Sequence, residues 1–201
     1  MLADRLPVAV MAAGSSRRFG SDKRSHRLPD GRTMIQFTLD QLVNAHAIAD
    51  ILVVTSDTSI TPDLSSPVSI LVADNAISGL GSSLNDLFGY VTREPHYYDA
   101  PAIAIYLADM PAIQVSTMTA LKAKATASHI IRPTYNGVAG HPVWIGRAFW
   151  SKFLSLSGDD GGKQILKQFK SKTEFVEVDD PGVVLDIDTP LEAKAWWESS
   201  V

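Results

Sequence analysis

The sequence predicts an α/β fold with a mostly parallel sheet and an antiparallel C-terminal lobe. Three observations carry the prediction. Four continuous apolar runs, "VAVMAA" (8–13), "ILVVT" (51–55), "VSILVA" (68–73) and "AIAIYLA" (102–108), have the length and β-rich content of strands buried on both faces. Amphipathic helix patterns lie between them, and strand–helix alternation of this kind builds parallel sheets. After about residue 130 the pattern turns to strands joined by a glycine-rich turn, which reads as antiparallel.

The helices follow from their apolar spacing. "MIQFTLDQLVNAH" (34–46) places Ile35, Leu39, Leu42 and Val43 on one face, and "GSSLNDLFGYVTR" (81–93) does the same with Leu84, Leu87, Phe88 and Val91. Ser82 or Ser83 is the expected N-cap of the second. "STMTALKAKAT" (116–126) is a third helix. "HIIRPTYNGVAGHPVWI" reads as two strands, and "GDDGGKQILKQF" (158–169) as a loop leading into a capped helix. "TEFVEV" and "VVLDI" read as strands, and "DTPLEAKAWWE" as a final helix with Pro190 in its first turn.

The 201 residues fit one domain spanning 1–201, with a first half to about 130 and a distinct lobe over about 131–201. A 45% hydrophobic content supports a sizeable core, and a net charge of −4 gives no global field for nucleic acid. Cysteine is absent, which removes disulfides, thiolate zinc sites and cysteine nucleophiles together. The start, "MLADRLPVAVMAAGSS", carries acid and base ahead of an apolar stretch too short to span a bilayer. The expectation is a cytoplasmic protein with no nucleic-acid or membrane partner.

The loop after the first run, "GSSRRFGSDK" (14–23), lies where an open parallel sheet places its ligand crevice. It fails both standard phosphate-loop spacings: Ser16 and Phe19 stand where a dinucleotide loop needs glycine, and Lys23 follows Gly20 too late for a P-loop. Its chemistry still suits an anion. Gly14, Ser15 and Ser16 allow backbone N–H groups to turn inward, and Arg17, Arg18 and Lys23 supply cations. The competing reading is a solvated basic turn.

Asp109 ends the fourth run, so its carboxylate is either a hard-cation ligand in the crevice or a turn residue before Pro111. Asp186 and Asp188 alternate along an expected strand and share a face. Asp188 has a simple role as cap of the final helix, with Glu192 nearby, which leaves Asp186 as the second carboxylate for a metal. His141 follows two glycines and reads either as a hydrogen-bonded structural residue or as a donor to a ligand. The four tryptophans, Trp144, Trp150, Trp196 and Trp197, read mainly as core.

"AAGSSRRFGSDK" resembles the N-terminal signature of the molybdenum cofactor nucleotidyltransferases, the MobA-like NTP transferase domain, written L-A-A-G-x-S-x-R-M-G-x-x-K. Ala12, Ala13, Gly14, Ser16, Arg18, Gly20 and Lys23 match it, while Met11 and Phe19 are apolar replacements. "SGLGSSL" (78–84), "YLADMPAI" (106–113), "GVAGHPVW" (137–144), "SGDDGGKQIL" (157–166) and "LDIDTPLEA" (185–193) resemble further motifs of the same family, in the family's order. Two departures stand out. Polar "RSHRLPDG" follows Lys23 where leucines are usual, and Asn75-Ala76 stands where Asn-Pro is common.

The resemblance implies a three-layer, Rossmann-like sheet of the nucleotidyltransferase type, with a nucleotide-binding half and an acceptor-side lobe. It implies transfer of a nucleoside monophosphate, CMP from CTP on the ala-ala-gly form, to the phosphate of molybdopterin or its metal-loaded form. Pyrophosphate is released, and Mg²⁺ is the cofactor. The implied roles are Lys23, Arg18 and Asp109 in catalysis, and Asp109 with Asp186 on the metal. Ala12, Ala13, Gly14, Ser15, Ser16, Arg17, Gly20, Asn75, Gly79, Ser82 and Ser83 would bind nucleotide; Gly140, His141, Pro142 and Asp159 would bind the acceptor. A molybdoenzyme or its maturation factor is the implied protein partner. Alternatives are GTP as donor, a sugar or alcohol phosphate as acceptor, a non-catalytic delivery protein, and an NAD-dependent oxidoreductase, which the failed glycine spacing disfavours.

Overall fold

The computed structural model describes residues 6–14, 19, 22–44, 50–57, 68–159 and 161–200. In chain order its regular elements are β1 (Val8–Met11), α1 (Met34–Asn44), β2 (Ile51–Thr55), β3 (Val68–Val72), α2 (Leu80–Arg93), β4 (Ala102–Leu107) and α3 (Val115–Lys122). They continue with β5 (Ile130–Tyr135), β6 (Val138–Ala139), β7 (Val143–Gly146), α4 (Lys163–Gln168), β8 (Thr173–Glu177) and α5 (Pro190–Ser200).

One sheet runs β3-β2-β1-β4-β7-β5-β6, with β8 paired to β5. The first four strands are mutually parallel. β7 joins β4 antiparallel and β5 joins β7 antiparallel, so the C-terminal strands extend the same sheet with β7 and β6 reversed while β5 and β8 run in the direction of β4. The centre is apolar on both faces because both faces are covered. Val8 and Val10 belong to a cluster with Leu39, Tyr106 and Trp144, whereas Ala9 and Met11 belong to another with Leu87, Phe88 and Trp150. No helix of the described residues is long and apolar enough to cross a membrane.

Several local expectations change. The third apolar run is the sheet edge rather than a buried strand: Ile70 and Val72 are 37% and 38% exposed, since among the described residues β3 pairs only with β2. The N-cap of α2 is Gly79, with no side-chain cap, and Ser82 and Ser83 lie inside the first turn, where Ser83 Oγ donates to Gly79 O. Gly162 likewise precedes α4 with no side-chain cap. "VVLDI" is not a strand. Asp180 accepts from the N–H of Gly182 and from Gln114 N–H and Thr117 Oγ1, which winds Pro181–Val184 into a 3-10 turn against α3. That buried carboxyl satisfies three donors at once, a demand that local apolar pattern does not reveal.

The polar stretch "RSHRLPDG" has a structural use. Arg24 donates to Ala12 O, Thr55 Oγ1 and the carboxylates of Asp22 and Asp57, tying the segment to the ends of β1 and β2. Leu28 is buried with Phe19, Met34, Ile187 and Trp196, and Arg32 pairs with Asp30 and Asp40. Trp144 and Trp150 are core, as expected, and Trp196 is buried while both it and Trp197 meet Phe37 edge-on.

Candidate active site

The site forms at the carboxyl ends of β1 and β4. β4 stops at Leu107 and the chain turns, with Ala108 N–H donating to Met11 O and Tyr106 Oη donating to Met110 O from full burial. The turn leaves Asp109 at the lip of the sheet. Its backbone carbonyl accepts from Ile187 N–H, a bond that draws the segment before α5 to the same lip. Lys23 enters from the other side, in a 3-10 turn that Asp22 caps through Arg24 N–H.

Lys23 Nζ lies 2.5 Å from Asp109 Oδ2 and 3.3 Å from Asp188 Oδ1, with only 16% of its side chain exposed. Burial opposes the ammonium charge, but Asp109, then Asp188, outweigh it, so the lysine is held above its ordinary value. It stays charged at neutral pH. With the carboxylates ionised, the ion pairs contribute stability below the lysine's unfolded value, and that contribution is lost as pH rises through the higher folded one.

Asp188 is therefore a site residue rather than a helix cap. Thr189 and Glu192 make the capping box: Glu192 N–H donates to Thr189 Oγ1, while Glu192 Oε2 accepts from the N–H groups of Asp188 and Thr189. This frees the Asp188 carboxylate to face Lys23. Asp186 is exposed and lies outside any strand, so the alternation that placed the two acids on one face does not apply. The signal for the cap was present in "TPLE", whose Thr and Glu have the required spacing.

Two cavities open from this lip. The first, about 460 Å³, is lined by Met11, Ala13, Gly14, Ser83, Leu107 and Asp109. The second, about 380 Å³, is lined by Ile105, Arg132, His141, Val143, Leu166 and Phe175 among others. Leu80, Leu107 and Asp159 line both, so they meet beside Asp109. Of the expected nucleotide residues, Ser15, Ser16, Arg17 and Gly20, with the expected catalytic Arg18, lie outside the described residues. Asn75 binds both Asp86 carboxylate oxygens through its amide and backbone and does not line the first cavity.

Gly79 and Ser82 join the two sides. Gly79 has φ +110°, and a Cβ there would meet Asp159 Oδ1 at 2.0 Å and Gly158 O at 2.7 Å. Gly158 N–H donates to Ser82 Oγ, and Gly81 N–H donates to Gly158 O. The start of α2 thus holds the loop that carries Asp159. At the other wall, Gly140 is packed so closely on the 3-10 turn that a Cβ would meet Val183 O at 2.0 Å, while His141 N–H donates to the same carbonyl. Gly140→Ala is expected to destabilise the protein by about 2 kcal/mol or more, read as a lowered denaturation midpoint; an unchanged midpoint would show that this contact can relax.

His141 precedes Pro142 through a cis peptide bond. Desolvation lowers its imidazole below the ordinary value, outweighing the carbonyl of Ile105 and the charges of Asp109 and Asp186. Its Nδ1 lies 3.5 Å from Ile105 O. A carbonyl only accepts, so Nδ1 carries the proton and Nε2 of the neutral ring is an acceptor. Sequence reasoning left His141 between a hydrogen-bonded structural residue and a donor to a ligand. Because the folded ring resists a proton that the unfolded chain takes up, stability is expected to fall as pH drops below about 6.5. His141→Asn should flatten that part of the profile; an identical profile in the variant would remove His141 as its source.

Sequence reasoning also missed Arg132, Lys163, Lys167 and Lys170, which line the second cavity. Lys163 stands in the "SGDDGGKQIL" motif but was given no role there, and the pairing of β5 with β8 sets Arg132 level with Phe175 on the same cavity.

These features are those of a nucleotide-using α/β enzyme, and comparison with known proteins agrees. The chain belongs to the MobA-like NTP transferase domain family, whose profile matches residues 8–174. Purine catabolism protein PucB of Bacillus subtilis (strain 168) is 28% identical over 193 residues, covering 90% of this chain and 91% of that protein. Nicotine blue oxidoreductase of Paenarthrobacter nicotinovorans is 23% identical over 190 residues, 90% of each. The fold matches that of a nucleotidyl transferase from Methanothermobacter with a TM-score of 0.78, at 19% identity and 98% coverage of both chains. It also matches Rv0371c of Mycobacterium tuberculosis H37Rv in complex with manganese, TM-score 0.71 at 22% identity, over 97% of this chain and 99% of that one. Family and fold together make this protein a nucleotidyltransferase of the MobA-like type.

Proposed function

We propose that the protein transfers CMP from CTP to the phosphate of molybdopterin or its metal-loaded form, releasing pyrophosphate. The observation that carries this reading is that Asp109, bridged to Asp188 by Lys23, lines the first of two cavities of small-molecule size that share Leu80, Leu107 and Asp159. The first cavity, beside the glycine-containing loop, takes the nucleotide; the second takes the acceptor. An acceptor phosphate oxygen attacks the α-phosphorus in line, the new P–O bond forms, and the bond to the β-phosphate bridging oxygen breaks.

The residues supply positioning and charge. Lys23 is charged and half-released from water, so it can follow negative charge onto the α-phosphate and the departing pyrophosphate. Gly14 lines the first cavity with open space beside its Cα, where a phosphate can lie against the backbone, and Arg18 adds a further cation from the same loop. His141 Nε2, an acceptor, orients a hydrogen-bond donor on the acceptor molecule.

Two carboxylates converging on one cation position suit Mg²⁺, which usually takes one or two carboxylates and completes its shell with phosphates and water. Asp109 and Asp188 would hold it, with Asp186 the further acid nearby, and when bound it would neutralise triphosphate oxygens. The manganese complex of Rv0371c supports divalent metal use. The product would pass to a molybdoenzyme or its maturation factor, inside the cytoplasm.

Titrating CTP, GTP, ATP and UTP against the protein, with and without Mg²⁺, tests donor choice. CTP is expected to bind most tightly and to need the metal; a GTP preference would move the assignment to guanylyl transfer. An oxidoreductase reading draws support from the name of one relative. The loop lacks the dinucleotide glycine spacing, and absence of NAD(P)H oxidation with quinonoid acceptors is the expected result.

A further inference from the structure

The cavity assigned to the acceptor is chemically lopsided. Its junction end carries Asp159 beside Asp109. Its floor is a row of side chains across three strand pairings: Ile105 pairs with Val143, Arg132 comes level with Val143 one step beyond the Ile131–Trp144 pair, and Arg132 pairs with Phe175. The row is apolar except at Arg132, two strand spacings from β4, roughly 10 Å.

Arg132 is more than half buried and lacks an acid. Nε donates to Gly140 O and one terminal nitrogen to Ala139 O, and no carboxylate pairs with it among the described residues. Desolvation alone acts on it, lowering its value. A guanidinium buried against neutral carbonyls is costly unless an anion completes it. Around it stand Lys163 and Lys167, one turn apart on α4, and Lys170 in the following 3-10 turn, all lining the same cavity. None of the three has an ion-pair partner among the described residues.

We propose that Arg132, with Lys163, Lys167 and Lys170, is a second anion-binding subsite. It takes an anionic group on the acceptor at the end remote from its attacking oxygen. The acceptor class is thus a molecule that carries a second anionic group about 10 Å from the end it presents for transfer, the span of two strand spacings. This rests on reading the second cavity as the acceptor side, but its test needs no turnover, so the subsite and the reaction fail separately.

Inorganic phosphate is the probe, at constant ionic strength so that screening does not change. The readout is the Arg132 side-chain Nε–H resonance, assigned by its loss in Arg132→Met. Saturable movement of that resonance is expected. In the double variant Lys163→Gln, Lys167→Gln, whose exposed side chains leave the fold intact, saturation should require about threefold more phosphate or beyond. A resonance that does not move while loop 14–23 responds, or an identical midpoint in the double variant, would overturn the subsite.

Discussion

Lys23→Ala is expected to lower turnover about 100-fold or more, the loss typical of removing one preorganised charge from a transition state. The sequence alone presents Lys23 as an exposed loop residue whose removal leaves the fold indifferent. The structure contradicts that part, because its side chain is 16% exposed and bridges Asp109 and Asp188. Without it the two carboxylates lose the ammonium that bridges them, which disfavours the folded state. Added Mg²⁺ is therefore expected to raise the denaturation midpoint of the variant more than that of the wild type. Unaltered turnover would remove Lys23 from catalysis, and an equal metal response would show that the carboxylates do not share a cation position.

Asp109→Asn preserves shape and removes one charge. Turnover is expected to fall by about 100-fold or more, and the Mg²⁺ concentration for half-maximal rate should rise. Lys23 also loses its nearer partner, so burial would pull its value down. The two effects separate by experiment: excess Mg²⁺ restores part of a metal-binding defect and none of a lysine defect. An unchanged Mg²⁺ titration would take Asp109 out of the metal site.

Much of the fold was legible because it rests on local pattern. The runs that became β1, β2 and β4 are apolar on both faces, a demand a parallel strand makes and a sequence displays. The edge position of β3 was not legible, since it depends on what fails to pair beyond it. In the site, Lys23 and Asp109 stand in recognisable motifs, and the structure brings them together across 86 residues. Asp188 was misjudged because a cap was sought at the acid, while the Thr189–Glu192 box performs that task. Arg132 was invisible because its surroundings are assembled by strand register between β5 and β8. The polar stretch after Lys23, a departure from the leucines usual there, is a clasp built on Arg24 and Leu28.

The most direct measurement is pyrophosphate release by purified protein with Mg²⁺ and molybdopterin, running CTP, GTP, ATP and UTP in parallel. The account predicts release with CTP, matched one to one by cytidylylated acceptor and lost in Lys23→Ala. No pyrophosphate with any of the four, from protein that binds nucleotide, would contradict it and point to another acceptor or to a delivery role without turnover.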